Sequence, residues 1–301
     1  MATWAAVVFA FLAAACNALS TVLQRRAART VPVSGRLRLG LFADLLHRSV
    51  WLAGMLMVLP AAGFQALALS LGALSVVQPI FVLELPLALL IGRPLLGRRG
   101  SRRGWGGVGL LVVGLVTALA AAAPDAGRDH APLSRWVPAL VVCAAVITTT
   151  VGAGLRRGAG SVRAAGFGAA TAVAYALTAA LLKDSAHIWR AAGPAEFFLS
   201  WQTYGFALVG VLALFLMGNA MQSGPLTASQ PVLTLGDALV SLSLGVTLFD
   251  ERVRVGWWLL LEGLGAGLVL WGAVLLSRVV AWDVATGQAT GPSPDLPGPP
   301  G

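Results

Sequence analysis

Residues 73–92 read ALSVVQPIFVLELPLALLIG, and residues 226–248 read LTASQPVLTLGDALVSLSLGVTL. Each is a run of roughly the 20 apolar residues that a helix needs to cross a bilayer. Each opens on a Gln-Pro pair, Gln78-Pro79 and Gln230-Pro231, and carries one carboxylate near its middle, Glu84 and Asp237. The surrounding chain has the same character. Only 11% of the 301 residues are charged and 57% are hydrophobic, against about 25% charged in soluble domains. A hydrated shell cannot be built from so little charge, so the sequence specifies an all-α integral membrane protein. Its two cysteines, Cys16 and Cys143, both lie in apolar runs and suggest neither a disulfide framework nor a metal site.

Working outward from these two stretches, nine transmembrane helices are expected, at about 3–23, 50–70, 74–92, 104–123, 134–155, 162–182, 200–220, 226–248 and 255–278. The second and third are separated only by Ser70-Leu71-Gly72-Ala73, read as a tight turn because one helix across both would overshoot any bilayer. No basic residue precedes the first span, and Arg25 and Arg26 follow it. That is the reverse of a cleaved signal peptide, so the first span reads as a mature helix. With the N-terminus outside, alternate loops hold 15 Lys and Arg inside against 6 outside, Lys183 and Arg190 among the latter. Positive charge is retained on the cytoplasmic side, which gives N-out, C-in. The net charge of +9 is thus read as membrane topology and not as a nucleic-acid footprint. Twenty arginines against one lysine suggest a GC-rich genome and hence a bacterial plasma membrane.

Two segments are not spans. In the 24–49 loop, Leu37, Leu41, Leu45 and Leu46 recur at helical spacing among Arg36, Arg38, Asp44 and Arg48. That fits an interfacial amphipathic helix, with a basic loop as the plain alternative. Residues 279–301, rich in Pro and Gly, read as a disordered tail beyond a transmembrane domain of residues 1–278.

The chain repeats itself. At an offset of 152, Gly72, Gln78, Pro79, Arg102, Gly104 and Trp105 coincide with Gly224, Gln230, Pro231, Arg254, Gly256 and Trp257. At an offset of 158, Asn17, Ala18-Leu19-Ser20 and Arg25 fall on Tyr175, Ala176-Leu177-Thr178 and Lys183. Spans one to four (about 3–123) then correspond to spans six to nine (about 162–278), with the fifth (134–155) as connector. Equivalent spans are five apart, an odd number, so the halves are inverted relative to each other. Inverted-topology repeats are a transporter architecture, with substrate held near the midplane where the halves meet.

Two such halves, with a proline in the helix before a short basic loop and a Gly-rich closing helix, resemble the drug/metabolite transporter superfamily. The segment at 73–92, followed by Gly104-Trp105-Gly106, is similar to the closing part of an EamA-type repeat. Nine spans, with the second EamA-type helix reduced to the 24–49 loop, resemble the branch containing NIPA-like magnesium transporters. The resemblance implies a secondary transporter of a small solute, with a divalent-cation permease as the alternative. It implies no cofactor.

Ionisable groups inside spans are costly and mark function by default. Glu84 and Asp237 occupy repeat positions one residue apart, and no Lys or Arg is expected at comparable depth. A carboxylate there is neutralised by a proton or cation that comes and goes, or else is a protonated acid bonded to a neighbouring helix. Glu262 has no acidic counterpart and is read as a helix-packing hydrogen bond. Gln78 and Gln230, beside the helix-breaking Pro79 and Pro231 and with Pro86 just after Glu84, should form polar notches shaping a cavity. Asn17 and Tyr175 are placed along the same pathway, while Gln24, Gln65, Asn219 and Gln222 read as interhelical glue. Runs such as Gly263-Leu-Gly-Ala-Gly and Gly104-Trp-Gly-Gly-Val-Gly offer small faces for helix contact. No HExxH, GxSxG, GxxxxGK[ST] or CxxC occurs, so neither an enzyme nor an ATP-driven pump is expected. The expected partners are the lipid bilayer and a small-molecule or cation substrate. A non-transporting membrane scaffold remains the alternative from another class.

Overall fold

The computed structural model describes residues 2–28, 49–96, 102–125, 127–224, 226–254 and 256–289. Among them, nine stretches are long and apolar enough to cross a membrane. The protein is a multi-pass membrane protein. The first span is α1 (Ala2–Ala28), the second α2 (Ser49–Leu56) with α3 (Val58–Leu71), and the third α4 (Leu74–Ile80) with α5 (Glu84–Leu96). The others are α6 (Arg102–Ala122), α7 (Leu133–Leu155), α8 (Ser161–Leu199), α9 (Trp201–Ser223), α10 (Leu226–Phe249) and α11 (Trp258–Ala289). Residues 29–48, where the interfacial helix is expected, lie outside the described residues, as do residues 290–301.

Prolines account for the interruptions. Pro79 has no N–H, and its ring crowds the carbonyl of Ser75. The third span tightens just beyond it into a 3-10 turn, Phe81–Leu83, where the Phe81 N–H donates to the carbonyls of Gln78 and Pro79. Pro86 then falls in the first turn of α5, where helical amides have no partner anyway. In the second span, Pro60 deprives the Leu56 carbonyl of its donor, and the helix is interrupted at Met57. Pro231 does not act as the helix break expected of it: α10 runs unbroken through this position. Like Pro79 in α4, it is the sixth residue of its helix, so position alone does not decide whether the helix tightens.

Two boundaries differ from expectation. The sixth span was expected to end near 182, yet α8 continues to Leu199, bending at Gly193, whose φ of 86° is a left-handed value that favours glycine. Residues 279–289, expected to begin a disordered tail, continue α11 as helix.

Helix α8 is the centre of the bundle and packs against α3, α4, α7, α9 and α10. It can do so because its buried faces are small: Ala170, Ala174, Ala176, Ala179 and Ala180 are all buried. Without much hydrophobic drive inside lipid, close packing of small residues is what holds helices together. At Gly168, an added Cβ would come within 2.8 Å of the Ser229 carbonyl oxygen on α10. Helix α9 shows the opposite side of the same logic. It buries Ala213, Leu216 and Ala220 against α8 and exposes Leu208, Val211, Leu214 and Phe215, a face suited to acyl chains. Around α1 the neighbours are α2, α3, α4 and α5; α6 and α11 pack as a close pair.

Candidate functional site: a polar seam beneath a buried ion pair

The break in the third span sets Glu84 at the first position of α5, facing α1. There Thr21 donates to Glu84 Oε1 at 3.4 Å. Across the molecule on α10, Ser241 donates to Asp237 Oδ1 at 3.4 Å. Both contacts are long, so neither hydroxyl replaces a full hydration shell. Tyr175 on α8 lies close enough to both carboxylates to sense their charge. Glu84 with its α1 partner and Asp237 on α10 thus share an electrostatic neighbourhood with Tyr175, the seam, and both acids are half-buried. Among the described residues, Asp237 has no cationic partner. Asn17 sits one helical turn before Thr21, on the face of α1 that reaches Glu84. Gln78 is buried and Gln230 half-buried, one in each proline-bearing helix.

Beside the seam, a cavity of about 70 Å³ opens between α4, the 3-10 turn, α6, α10 and α11. Its walls are mostly apolar, with Ser75, Thr234 and Glu262 supplying the polar groups. Pro79 and Ala238, neighbours of Gln78 and Asp237, line it as well. Glu262 departs from expectation. It makes no packing hydrogen bond among the described residues but faces this cavity. Near the start of α11, the adjoining helix α6 presents Leu115, Ala118 and Leu119 to the same cavity.

A second cluster closes one end of the molecule. Lys183, expected in an exposed loop, is 1% exposed inside α8. Its ammonium donates to Glu251 Oε1 at 2.8 Å and to the Gly72 carbonyl at 3.2 Å, and it lies 4.8 Å from the centre of the Phe249 ring. Glu251, 2% exposed, also accepts from the Leu74 amide at 2.6 Å, the Ser75 amide at 2.9 Å and the Ser75 hydroxyl at 2.6 Å. Every proton of the ammonium and both carboxylate oxygens therefore have partners, the condition under which burying such a pair is tolerable. The neighbouring Asp184 points elsewhere, accepting from the Trp136 indole at 2.7 Å and pairing with His130. The His130 ring in turn stacks with His187 at 6.1 Å. Nearby, Asp250 pairs with Arg128 and Arg135, and Asp125 and Arg252 form an isolated antiparallel bridge. The hydrogen bond from Arg135 holds the Asp250 carboxyl below its usual range, outweighing the opposing effect of burial with help from the charges of Arg135, Arg128 and Arg252.

An uncharacterized protein of Corynebacterium glutamicum, Cgl0250/cg0304, is 30% identical over 280 residues, spanning 91% of this chain and 94% of the relative. The chain belongs to that protein's family. No protein-family model matches the chain, and no solved structure matches it.

Seam, cavity and ion pair together make up the candidate site. Of the three, sequence reasoning missed the ion pair. Lys183 and Glu251 are 68 residues apart, and the charged run after Leu182 looks like a loop. One signal was present: Lys183 is the only lysine in a chain with twenty arginines. A compact ammonium fits a closed pocket of one carboxylate, one carbonyl and one ring face, where a planar guanidinium with five donors would be left unsatisfied.

Proposed function

We propose that the protein is a secondary transporter of the drug/metabolite superfamily type, in a bacterial plasma membrane with its N-terminus outside, moving a small solute by alternating access. The observation that carries this reading is Asp237, a membrane-embedded carboxylate with no cationic partner among the described residues, at a seam shared with Glu84 and Tyr175. An anion left bare in that setting costs several kcal/mol (about 3 or more). A coupling proton or cationic substrate arriving and leaving supplies the neutralisation.

Packing supports two inverted repeats. Helix α1 neighbours the second and third spans, as α8 neighbours the seventh and eighth, and the fourth and ninth spans, α6 and α11, pair with each other. The seam is drawn from spans one, three, six and eight, two corresponding pairs under the repeat. Transporters built this way bind where their halves meet, because that is where rocking of one half against the other changes access.

The test is flux in proteoliposomes containing a trapped pH-sensitive dye, challenged with a panel of amines, amino acids and divalent cations. At least one solute should drive a proton signal in the wild type. The Glu84→Gln/Asp237→Asn protein, reconstituted to the same folded yield, should lose it at least a hundredfold. Equal flux in the two proteins would remove the assignment.

A further inference from the structure

We propose that the Lys183–Glu251 pair is a gate: a latch that shuts one end of the pathway over the cavity and must part for that end to open. The proposal rests on the transport reading and names a moving part that reading requires.

The latch joins the two halves. Gly72, Leu74 and Ser75 belong to the first half, and Lys183 and Glu251 to the second. Ser75 belongs to two structures at once. Its hydroxyl donates to Glu251 Oε2 at 2.6 Å, and the same residue lines the cavity. The ion pair therefore sits on the cavity's end wall, and separating Glu251 from the start of α4 releases that wall. Other contacts between loops at this end act in parallel, notably the Asp125–Arg252 bridge.

An ion pair suits a contact that has to open. Apolar residues of similar volume would close the end as well or better, but opening them would expose hydrocarbon to water. Lysine and glutamate instead regain hydration when they separate, which brings the open state within reach. The Coulombic attraction and five hydrogen bonds to Glu251 and Lys183 hold the closed state in a single geometry.

The sequence supplies this device at one end only. Under the repeat, Gly72 corresponds to Gly224 and Lys183 to Arg25, so a basic residue and a glycine turn recur at the opposite end. Glu251, however, corresponds to position 99 at the offset of 152, and position 99 is Arg. The acid of the pair is therefore not repeated in the sequence of the first half. With Lys183 and Ser75 both bonded to Glu251, the resting protein is shut at the latch end.

The test places one cysteine on the cavity wall, Ala238→Cys, in full-length protein with Cys16→Ser and Cys143→Ser. Its modification by a membrane-impermeant thiol reagent is timed from each face of oriented vesicles. Labelling from the latch face should be slow, and should rise at least tenfold when the latch is neutralised as a pair, Lys183→Met/Glu251→Gln. A second arm leaves the latch intact. Residues facing each other in an antiparallel bridge lie about 5.5 Å apart, within disulfide range, so Asp125→Cys/Arg252→Cys can be oxidised to lock the end while residue 238 remains the only free thiol. Oxidation should abolish latch-face labelling of residue 238, read on its own peptide by mass spectrometry, and reduction should restore it, with labelling from the other face retained throughout. A latch-face rate altered by neither change overturns the gate. That outcome is separate from the flux result, so a failed gate and a failed transport reading are told apart.

Discussion

Lys183→Met should be the most damaging single substitution in the protein. It leaves Glu251 buried, anionic and without its counter-charge, and removing one partner of a buried pair costs about 3–5 kcal/mol. In detergent this should lower the midpoint of thermal unfolding by roughly 10 °C. Lys183→Arg should also be harmful, since a guanidinium cannot direct its five donors into a pocket offering Glu251, the Gly72 carbonyl and a phenyl face. Lys183→Met/Glu251→Gln should recover much of the loss, because no bare charge remains. The sign of that coupling is the informative quantity: two residues in contact give a non-additive cycle, whereas an exposed loop lysine would give additive effects near zero. Thermal melts of the four proteins of the cycle decide it.

The second large effect is expected at the crossing of α6 and α11. A Cβ on Gly265 would stand 2.5 Å from the Ala118 amide nitrogen and 2.7 Å from the Gly114 carbonyl oxygen. Both are backbone atoms and cannot swing aside, so Gly265→Leu has to push the helices apart. Overpacking of this kind costs about 1–3 kcal/mol, and with backbone on the receiving side the upper end is expected. Gly263→Leu and Gly267→Leu are the controls. Nothing lies within 4 Å of a Cβ at either position, so those changes should be neutral or slightly stabilising through helix propensity. Melting temperatures of the three variants should therefore separate Gly265 from its two neighbours in GLGAG. Equal effects at all three would show that the close crossing is absent.

Those three glycines also mark the limit of what the sequence discloses. Hydropathy runs locate the spans, because twenty apolar residues in succession have few alternatives in water or lipid. The Gly-rich stretch in the last span is legible as a packing face, but which glycine meets backbone depends on how α6 and α11 are rotated, and no local pattern encodes that. Pro79 and Pro231 read alike, each preceded by Gln. One helix tightens into a 3-10 turn and the other runs on, although each proline is the sixth residue of its helix, so the neighbours decide the outcome. Glu262 looked like a packing acid because its surroundings come from three other segments, which form a mostly apolar wall. Lys183 was hidden for a similar reason. Charges following an apolar run look like a helix end, and only the fold brings Glu251 and the start of α4 to them. Glu84 and Asp237 stand out in the sequence because a carboxylate inside an apolar run is costly, whereas the electrostatic reach of Tyr175 to both depends on the fold.

A seam that carries a solute by alternating access has to be reached from both sides of the membrane. Tyr175→Cys, with Cys16→Ser and Cys143→Ser and both acids intact, places a thiol there. The direct measurement is its labelling by an impermeant thiol reagent applied to right-side-out and to inside-out vesicles. Modification from both faces, faster from the face opposite the latch, is the predicted result. A thiol reached from neither face, in protein that remains folded, would contradict transport along the seam and leave these carboxylates as parts of a static membrane scaffold.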